Sequence, residues 1–491
     1  MKYKAMGIAA CVMGIVIAAS AVFILSDVEM ERYHQHMMAE EKAPCTHGDD
    51  VFCTHLPLVQ IETGGREIPG RAIQNETGDK IIGYTVAEDG SESIIAKIAV
   101  TDQYGLNNHV DDEPTMESLM EVHVRGNSSR TFAKPNYAIR LVTEEGDNNP
   151  QEMMGMDVHH EWALHGPYLD KTLIRNYMWY NLTGEIMDYA PNVRFCEVTV
   201  NGEYQGVYLM TETITAGKEG TRLQLSVDKK DNEFSGYLLR LDRGSNNEAK
   251  NLNTFSLYAY RSDGKLNVEY PGADNLTEEI RRSIELDFSV FEKTIYSYDY
   301  DSRKYGFPKF VDVENFVDYF LINELACNYD AGIYSTYIYM DLDRKYRLCV
   351  WDFNNCCDNY QADVWDGGSI DLDQRLWYNM IIKSDYFTDW CIRRYRSLRN
   401  TIFSDEYLES YIDDTIAYLG DAVDRNSQRW SQSFEEELLV PAERNLHSFD
   451  EAVEQYRSFL LRRVSWMDEN IESLKQYSAE SKIKKYSEGT E

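Results

Sequence analysis

The amino-acid sequence predicts an α+β fold in which a β-rich N-terminal lobe precedes a helical C-terminal lobe. Between residues 56 and about 245, apolar and polar residues alternate in short runs separated by Gly and Asn turns, which is typical of strands. From about residue 275 to residue 474, apolar residues recur with helical spacing and glycine is scarce. Ahead of both lobes, the uncharged run of residues 5–25 predicts one transmembrane helix.

The composition of the 491-residue chain is that of a globular protein. Hydrophobic residues make up 43% and aromatic residues 12%, and the 29 glycines and 11 prolines exclude collagen-like and low-complexity chains. Lys and Arg total 49 against 83 Asp and Glu, which gives a formal net charge of −34. Because a field of that sign repels a phosphate backbone, we expect no nucleic-acid partner.

The N-terminal run of residues 5–25 is long enough to act as a membrane anchor. Its 21 residues would span about 31 Å as a helix, which is close to the thickness of a bilayer core. Lys2 and Lys4 precede the run and Asp27 and Glu29 follow it, so we expect a single-pass membrane protein with its bulk extracytoplasmic. The alternative is a cleaved signal peptide and a secreted protein, since residues 18–21 are small.

Residues 26–55 form a predicted polar stalk, and residues 475–491 form a charged, Ser-rich tail. Of the nine cysteines, Cys45 and Cys53 lie in this stalk and can pair in an oxidising compartment. The sequence has no CxxC motif and no Cys/His spacing typical of zinc sites. We therefore expect few disulfides in the main domain.

In the N-terminal lobe, the pattern predicts strands, one helix and one hairpin. The hairpin is the strongest signal, because Asn201-Gly202 separates two alternating runs. The predicted elements are strands at 68–72, 80–86, 93–100, 121–125 and 137–142, a helix at 169–183, the hairpin strands 194–200 and 204–211, and a strand at 236–242.

The C-terminal part is predicted to be helical, with a small hairpin near its start. Amphipathic helices are expected at 277–296 and 313–327, and helical spacing covers nearly all of 376–474. The hairpin strands are expected at 335–340 and 346–352, around the turn 341–343.

A basic window between residues 122 and 142 stands out in this acidic chain. It holds Arg125, Arg130, Lys134 and Arg140 and no acidic residue. Its centre, Arg-Gly-Asn-Ser-Ser-Arg at 125–130, is a small-residue loop between two predicted strands. Such a loop lets backbone N–H groups approach an anion while basic side chains supply charge, which predicts phosphate binding. The alternative is an ordinary polar hairpin with a solvated basic face.

Two aspartates are spaced as a phosphotransferase requires. Asp330 follows a predicted helix, and Asp352 ends the hairpin that comes next. One carboxylate would accept the proton of a substrate hydroxyl, and the other would hold the Mg²⁺ that neutralises the phosphates. The alternative is that both are turn or capping residues. Aromatic residues leave a carbohydrate-associated surface protein as a further alternative, although their periodic spacing favours a role in the core.

Five ordered motifs resemble the spore coat protein H (CotH) kinase family of atypical, secreted protein kinases. The match extends from about residue 56 to residue 474. The motifs are RGNSSRTFAKPNYAIRL (125–141), LDKTLIRNYMWYNL (169–182), VTVNGEYQGVYLMTETI (198–214), NELACNYDAGIYSTYIYMD (323–341) and VWDFN (350–354). The resemblance implies a protein-kinase-like bilobal fold and transfer of phosphate from ATP, with Mg²⁺ or Mn²⁺, to protein Ser or Thr.

The resemblance also implies roles for single residues. Arg125, Arg130 and Lys134 would replace the glycine-rich loop and phosphate-binding lysine of kinases, with Arg140 as the alternative to Lys134. Asp330 would be the catalytic aspartate. The other implied positions are Asp170, Arg175 and Asn176 on the following helix, Met210 and Glu212 at the adenine-holding hinge, and Asp352 as the metal ligand of the DFG position.

The sequence departs from the kinase pattern at Ser335, where an Asn usually holds the second metal. Asn354 or Asn355 would have to compensate. The alternative function is therefore a non-catalytic pseudokinase that serves as a surface or spore-coat assembly module. For the enzyme, the expected partner is a Ser/Thr-rich protein of the cell surface or spore coat.

Overall fold

The computed structural model of the protein describes residues 32–478, except 46–47, 49–50, 79, 219 and 257–263. The chain divides into residues 1–34, of which 32–34 are described, and one compact unit over residues 35–491. The second unit contains every helix and strand of the described residues. It is a mixed α+β fold, as predicted, with most strands in the first half and most helices in the second.

Seven strands close into a barrel. They are β1 (Leu58–Glu62), β2 (Ile94–Thr101), β3 (Met116–Arg125), β4 (Asn136–Val142), β5 (Glu161–His165), β6 (Val193–Val200) and β7 (Glu203–Glu212). Their order around the barrel is β5-β7-β6-β1-β2-β3-β4, and β4 pairs with β5 to close it. All neighbours are antiparallel except β1 and β6, which are parallel.

The barrel interior is an apolar core because its strands alternate. In β2, Ile94, Ala96 and Ile98 are buried, whereas Ile95 and Lys97 between them are exposed. The same core includes Val122 of β3 and Met210 of β7. Apolar side chains therefore fill the barrel, and the candidate functional residues are at its rim.

A second sheet of four antiparallel strands lies in the same compact unit. Its strands are β8 (Tyr237–Asp242), β9 (Lys265–Tyr270), β10 (Thr336–Met340) and β11 (Tyr346–Cys349), in the order β9-β8-β10-β11. The hairpin predicted around residues 341–343 is the β10–β11 pair. Because β8 pairs with β10, the end of β8 lies beside the segment that begins the hairpin.

Seven helices of nine residues or more complete the described part. They are α1 (Arg175–Gly184), α2 (Glu278–Ile295), α3 (Val313–Ala326), α4 (Asp385–Leu398), α5 (Asp405–Leu419), α6 (Asp421–Arg429) and α7 (Phe449–Asn470). Side-chain caps fix the starts of four of them, with hydroxyl or carboxylate oxygens accepting from backbone N–H groups. These caps are Thr277, Asp312, Ser404 and Ser448.

Short elements lie outside these layers. Two four-residue helices are Tyr378–Ile381 and Lys475–Ser478. The paired short strands are Cys53–Thr54 with Asn108–His109, Ala72–Gln74 with Ile81–Tyr84, Gln151–Met153 with Met156–His159, Ala216–Gly217 with Leu223–Gln224, and Val227–Asp228 with Glu233–Phe234.

A buried ion pair joins two of the helices. Arg463 of α7 lies 2.9 Å from Glu324 of α3, and both side chains are fully buried. Arg463 also donates to the backbone oxygens of Gly367 and Ser369 at 2.7 Å each. This pair ties α7 to α3 directly before the segment that carries Asp330.

Several boundaries differ from those predicted. The helix predicted at 169–183 begins at Arg175, because the Asp170 carboxylate accepts from the backbone N–H of Thr172 and Arg175 and forms a turn there. In place of the strand predicted at 68–72, the described residues have a strand at Ala72–Gln74. Strand β1 was not predicted. The helical spacing expected across 376–474 is interrupted between α6 and α7 by a stretch with only short 3₁₀ turns.

The predicted transmembrane helix, residues 5–25, lies outside the described residues. Within residues 32–478, apart from the gaps given above, none of the helices combines the length and the apolar content needed to cross a membrane.

Candidate functional site

An open cleft of about 540 Å³ collects polar side chains from the barrel rim, the second sheet and the segments around its hairpin. One wall is the loop 125–130 that follows β3, and another is the end of β8 at 240–244. The opposite wall comes from residues after α3 and after β11. Of the predicted site residues, the structure brings seven to this cleft: Arg125, Arg130, Asp330, Ser335, Asp352, Asn354 and Asn355.

The turn after α3 positions Asp330. The backbone oxygen of Asp330 accepts from the N–H groups of Ile333 and Tyr334 at 3.0 and 2.8 Å, which fixes the turn. Its carboxylate Oδ2 accepts from Asn355 Nδ2 at 3.2 Å. Oδ1 is buried and has no hydrogen-bond partner among the described residues. Burial raises the pKa of Asp330 above its usual value.

Asp352 follows β11 in a left-handed conformation, with φ of 64°. Its backbone N–H donates to the Tyr180 hydroxyl at 2.9 Å, and the next N–H, of Phe353, donates to Asn176 Oδ1 at 2.7 Å. Both partners lie on α1, so this helix holds the strained turn in place.

The electrostatic environment of Asp352 is unusual for a carboxyl group. Burial raises its pKa to about 7, and the negative charges of Asp330 and Asp242 add to this increase. Arg125 opposes them. A carboxyl group with such a pKa is poised to ionise when a cation arrives.

Asp242 also lines the cleft, although the sequence did not predict it as a site residue. It ends β8 and lines the cleft together with Arg240 and Arg243. Its carboxylate lies 3.9 Å from Arg240 Nε and 3.4 Å from Arg243 Nη1. The one available signal was an acidic residue at the end of a predicted strand, which is too common to single out.

Residues of the motif at 169–182 form hydrogen bonds with the segment that carries Asp352. Asp170 and Arg175 form a buried ion pair, and Arg175 Nε donates to the backbone oxygen of Cys356 at 3.1 Å. Together with Asn176, Arg175 holds the chain that directly follows Asp352, at Phe353 and Cys356. Their contribution is to position that turn, because their polar groups bind the protein itself.

The loop 125–130 requires glycine at its second position. Gly126 has φ of 110°, and a Cβ there would lie 2.0 Å from Ser129 Oγ. This close approach brings Ser128–Thr131, a short 3₁₀ turn, over the cleft. Arg125 stacks on the Trp351 ring at 5.1 Å, and Arg130 stacks on the Tyr84 ring at 4.3 Å.

Each of these two arginines has a buried nitrogen that no described residue satisfies. The atoms are Arg125 Nη1 and Arg130 Nε. An unsatisfied buried donor is costly, so such atoms mark places where a ligand can complete the hydrogen bonding. An anion in the cleft would supply the missing acceptor.

Lys134 does not line the cleft, where the resemblance would place a phosphate-binding lysine. The side chain is 1% exposed. Its Nζ donates to the backbone oxygen of Val207 at 2.6 Å and to Asn426 Oδ1 at 2.7 Å. Burial lowers the pKa of Lys134 well below its usual value. Lys134 thus links the barrel to α6.

Arg140, Met210 and Glu212 also lie outside the cleft lining. Arg140 on β4 pairs with Glu121 at 2.6 Å and donates to Asn148 Oδ1 at 2.8 Å. Met210 is buried in the barrel core. Glu212 accepts from Asn192 Nδ2 at 2.8 Å and lies 3.4 Å from Arg222.

Ser335 and two asparagines complete the carboxylate side of the cleft. Ser335 has φ of 49° and lies directly before β10. Asn354 Nδ2 donates to Asn355 Oδ1 at 2.9 Å, while Asn354 Oδ1 is buried without a hydrogen-bond partner among the described residues. The Asn354 amide oxygen is therefore free to act as an acceptor or a ligand.

The donor set on this side fits a hard divalent cation. Among the described residues Asn354 Oδ1 has no partner, and Asp352 supplies a second oxygen donor group beside it in the lining. Oxygen ligands from carboxylates and amides are those that Mg²⁺ and Mn²⁺ prefer. The residues present therefore fit a metal ion beside the loop that carries Arg125 and Arg130.

Comparison with protein families gives one match, over the part of the chain that contains the cleft. A family model described as CotH kinase protein matches residues 122–467. That range includes every residue that lines the cleft. No curated protein matches the chain.

Proposed function

The chain belongs to the CotH kinase family, and from this membership we propose that it transfers the γ-phosphate of ATP to Ser or Thr hydroxyls of a protein. One observation carries the proposal. Guanidinium nitrogens, a carboxylate oxygen and an amide oxygen that have no hydrogen-bond partner among the described residues line the same cleft. In this proposal the barrel is the N-lobe of a kinase-like bilobal fold, and the helical region is the C-lobe.

Arg125 and Arg130 bind the phosphates in this mechanism. Their guanidinium groups are held in place by stacking on Trp351 and Tyr84, which limits the entropy lost when they bind an anion. The role first assigned to Lys134 passes to Arg125, whose Nη1 is buried without a partner among the described residues. In a chain of net charge −34, such local positive charge is needed to attract a polyanion.

Asp352 and Asn354 would hold Mg²⁺ or Mn²⁺, and the bound ion would neutralise phosphate charge. Ionisation of Asp352 is the step that prepares this site, because burial and Asp330 keep its pKa near 7. Asn355 and Ser335 lie close by in the same lining. A Ser hydroxyl is a weaker neutral ligand than an Asn amide, so we expect the second metal to bind weakly.

Asp330 orients the acceptor hydroxyl and takes its proton. Its Oδ1 has no partner among the described residues, and its raised pKa makes it a better proton acceptor than an ordinary carboxylate. Asn355 donates to Oδ2 and so fixes the orientation of the carboxylate.

The proposed substrate is a Ser/Thr-rich protein of the cell surface or spore coat. We propose that residues 5–25 anchor the enzyme in the membrane with the kinase domain outside, as the flanking charges predict. Cell fractionation tests the anchor. The full chain should remain with membranes, and a mature N-terminus near residue 22 in the medium would overturn this part.

A pseudokinase that assembles surface or coat structures is the second candidate. The observation in its favour is Ser335, which lines the cleft where kinases place a metal-binding Asn. In that case the cleft would bind metal and nucleotide without turnover.

A transfer assay with the full chain tests the proposal. The detergent-purified protein would be incubated with γ-labelled ATP, Mg²⁺ or Mn²⁺ and a Ser-rich acceptor, and label on the acceptor or on the chain itself would be measured. Transfer should occur in the wild type and in Asp389→Asn, an exposed control on α4, but fall by about 10²–10⁴-fold in Asp330→Asn. Binding of metal-ATP without any transfer would favour the pseudokinase.

A further inference from the structure

A cluster of two cysteines and one histidine lies apart from the cleft and outside the range of the family match. Cys45, Cys53 and His109 each direct one ligand atom into the cluster, and these atoms all lie within 4.8 Å of one another. Within the described residues, it is the one group of His, Cys, Asp and Glu side chains with such spacing. The proposed kinase mechanism uses none of the three.

The fold brings these three residues together from two segments. Cys53 and His109 are opposite each other in the short antiparallel pair Cys53–Thr54 with Asn108–His109. Residues 42–45 lie along the loop after β2, because Ala43 N–H donates to Gly105 O at 2.8 Å and Lys42 Nζ donates to Gln103 O at 2.7 Å. As a result, Cys45 Sγ lies 3.2 Å from His109 Nε2.

The His109 ring is oriented as a metal ligand. The carboxylate of Asp112 lies 3.1 Å from His109 Nδ1 and also accepts from the His109 backbone N–H at 2.8 Å. An Nδ1–H donated to Asp112 leaves Nε2 with its lone pair directed at the sulfur atoms. A carboxylate behind the far ring nitrogen is the usual way in which proteins orient a metal-binding histidine.

We propose that Cys45, Cys53 and His109 form a zinc site. Two thiolates and an imidazole are ligands that Zn²⁺ prefers, and a tetrahedral ion leaves the fourth position for water. A disulfide between Cys45 and Cys53 would use the two sulfurs but would not explain the orientation of His109. Cys45 is exposed and Cys53 is half-buried, so the ion can reach the site from solvent.

The consequence is a metal cross-link near the start of the compact unit. The ion would join residues 42–53, which precede the barrel, to the loop that follows β2. It would stabilise this junction when it binds, because the ligands are brought together only in the folded chain.

Metal analysis of the full chain tests the site. The protein would be purified with a phosphine reductant, its metal content measured, and the stripped protein titrated with Co²⁺ as a spectroscopic probe. We expect one zinc ion per chain, and Co²⁺ should give sulfur-to-metal charge-transfer bands with the intense visible bands of a tetrahedral ion.

Variants distinguish the site from adventitious binding. Cys53→Ser and His109→Gln should lose zinc and the charge-transfer bands, and Asp112→Asn should weaken affinity by about 10–100-fold. Asp111→Asn, an exposed neighbour, should bind like the wild type. The proposal is overturned if the reduced wild type gives no charge-transfer bands with Co²⁺. It is also overturned if a Cys45–Cys53 disulfide forms and no metal is retained after reduction. A third contradicting result is that His109→Gln binds the metal as tightly as the wild type. The wild-type spectrum needs no variant, so a variant that fails to fold does not obscure the result.

Discussion

Lowering the pH from about 8 to about 6 should weaken metal binding in the cleft about tenfold, because Asp352 becomes protonated. Its pKa is raised to about 7, first by burial and then by the charge of Asp330. A carboxyl group with that pKa is about nine-tenths ionised one unit above it and about one-tenth ionised one unit below it. Only the ionised form binds a cation, so affinity is present at higher pH and is lost as the pH falls through about 7.

Mn²⁺ titration followed by electron paramagnetic resonance measures this affinity directly, without nucleotide or turnover. The dissociation constant should rise about tenfold across that pH range in the wild type and in the exposed control Asp389→Asn. In Asp352→Asn, binding should be weak and should lose most of its dependence on pH. A wild-type dissociation constant that is the same at both pH values would contradict this role of Asp352, since it would mean that Asp352 is ionised throughout or does not bind the ion.

Three other substitutions test separate parts of the account. Lys134→Ala should lower the free energy of unfolding, measured in urea, by about 2–3 kcal/mol, because it removes the buried donor to Asn426. The same variant should bind ATP with unchanged affinity. Weaker ATP binding with unchanged stability would instead assign phosphate binding to this lysine. Arg463→Met should cost about 3–5 kcal/mol, because Glu324 would remain buried without its partner; a cost below about 1 kcal/mol in the same assay would contradict a structural role for the pair. Ser335→Asn should raise the rate of phosphate transfer, since its positive φ suits Asn and an amide is a better metal ligand; an unchanged rate at every Mn²⁺ concentration would show that the second metal does not limit turnover.

Local patterns in the sequence were sufficient to predict much of the fold. The Asn201-Gly202 turn predicts the β6–β7 hairpin, and the structure has strands that end at Val200 and begin at Glu203. Alternation predicts β2, in which every second residue from Ile94 to Val100 is buried. These features depend on neighbours along the chain, which is why the sequence reveals them.

The closure of the barrel and the position of Lys134 depend on contacts that no local pattern encodes. β1 pairs in parallel with β6, more than a hundred residues later. Lys134 lies in a basic window with Arg125 and Arg130, but its Nζ meets Asn426, 292 residues away. A charged side chain in a polar stretch is normally exposed, so the sequence offered no reason to expect burial.

The candidate site was predicted only where a motif and a turn coincide. Asp330 and Asp352 stand in distinctive motifs, and the structure brings both to one cleft. Asp242 ends an ordinary strand between two arginines, and only the pairing of β8 with β10 brings it beside the hairpin. The pKa of about 7 at Asp352 likewise results from burial and from neighbours that are distant in sequence.

In the proposed mechanism, Asp352 holds the metal with the nucleotide while Asp330 acts on the acceptor hydroxyl. This division of roles is tested by measuring metal-dependent ATP binding and phosphate transfer side by side in the full-length wild type, Asp330→Asn and Asp352→Asn. Asp352→Asn should lose both, whereas Asp330→Asn should keep its ATP affinity within about twofold and lose transfer by about 10²–10⁴-fold. Equal loss of ATP binding in both variants, or transfer that survives in Asp330→Asn, would contradict this division of roles.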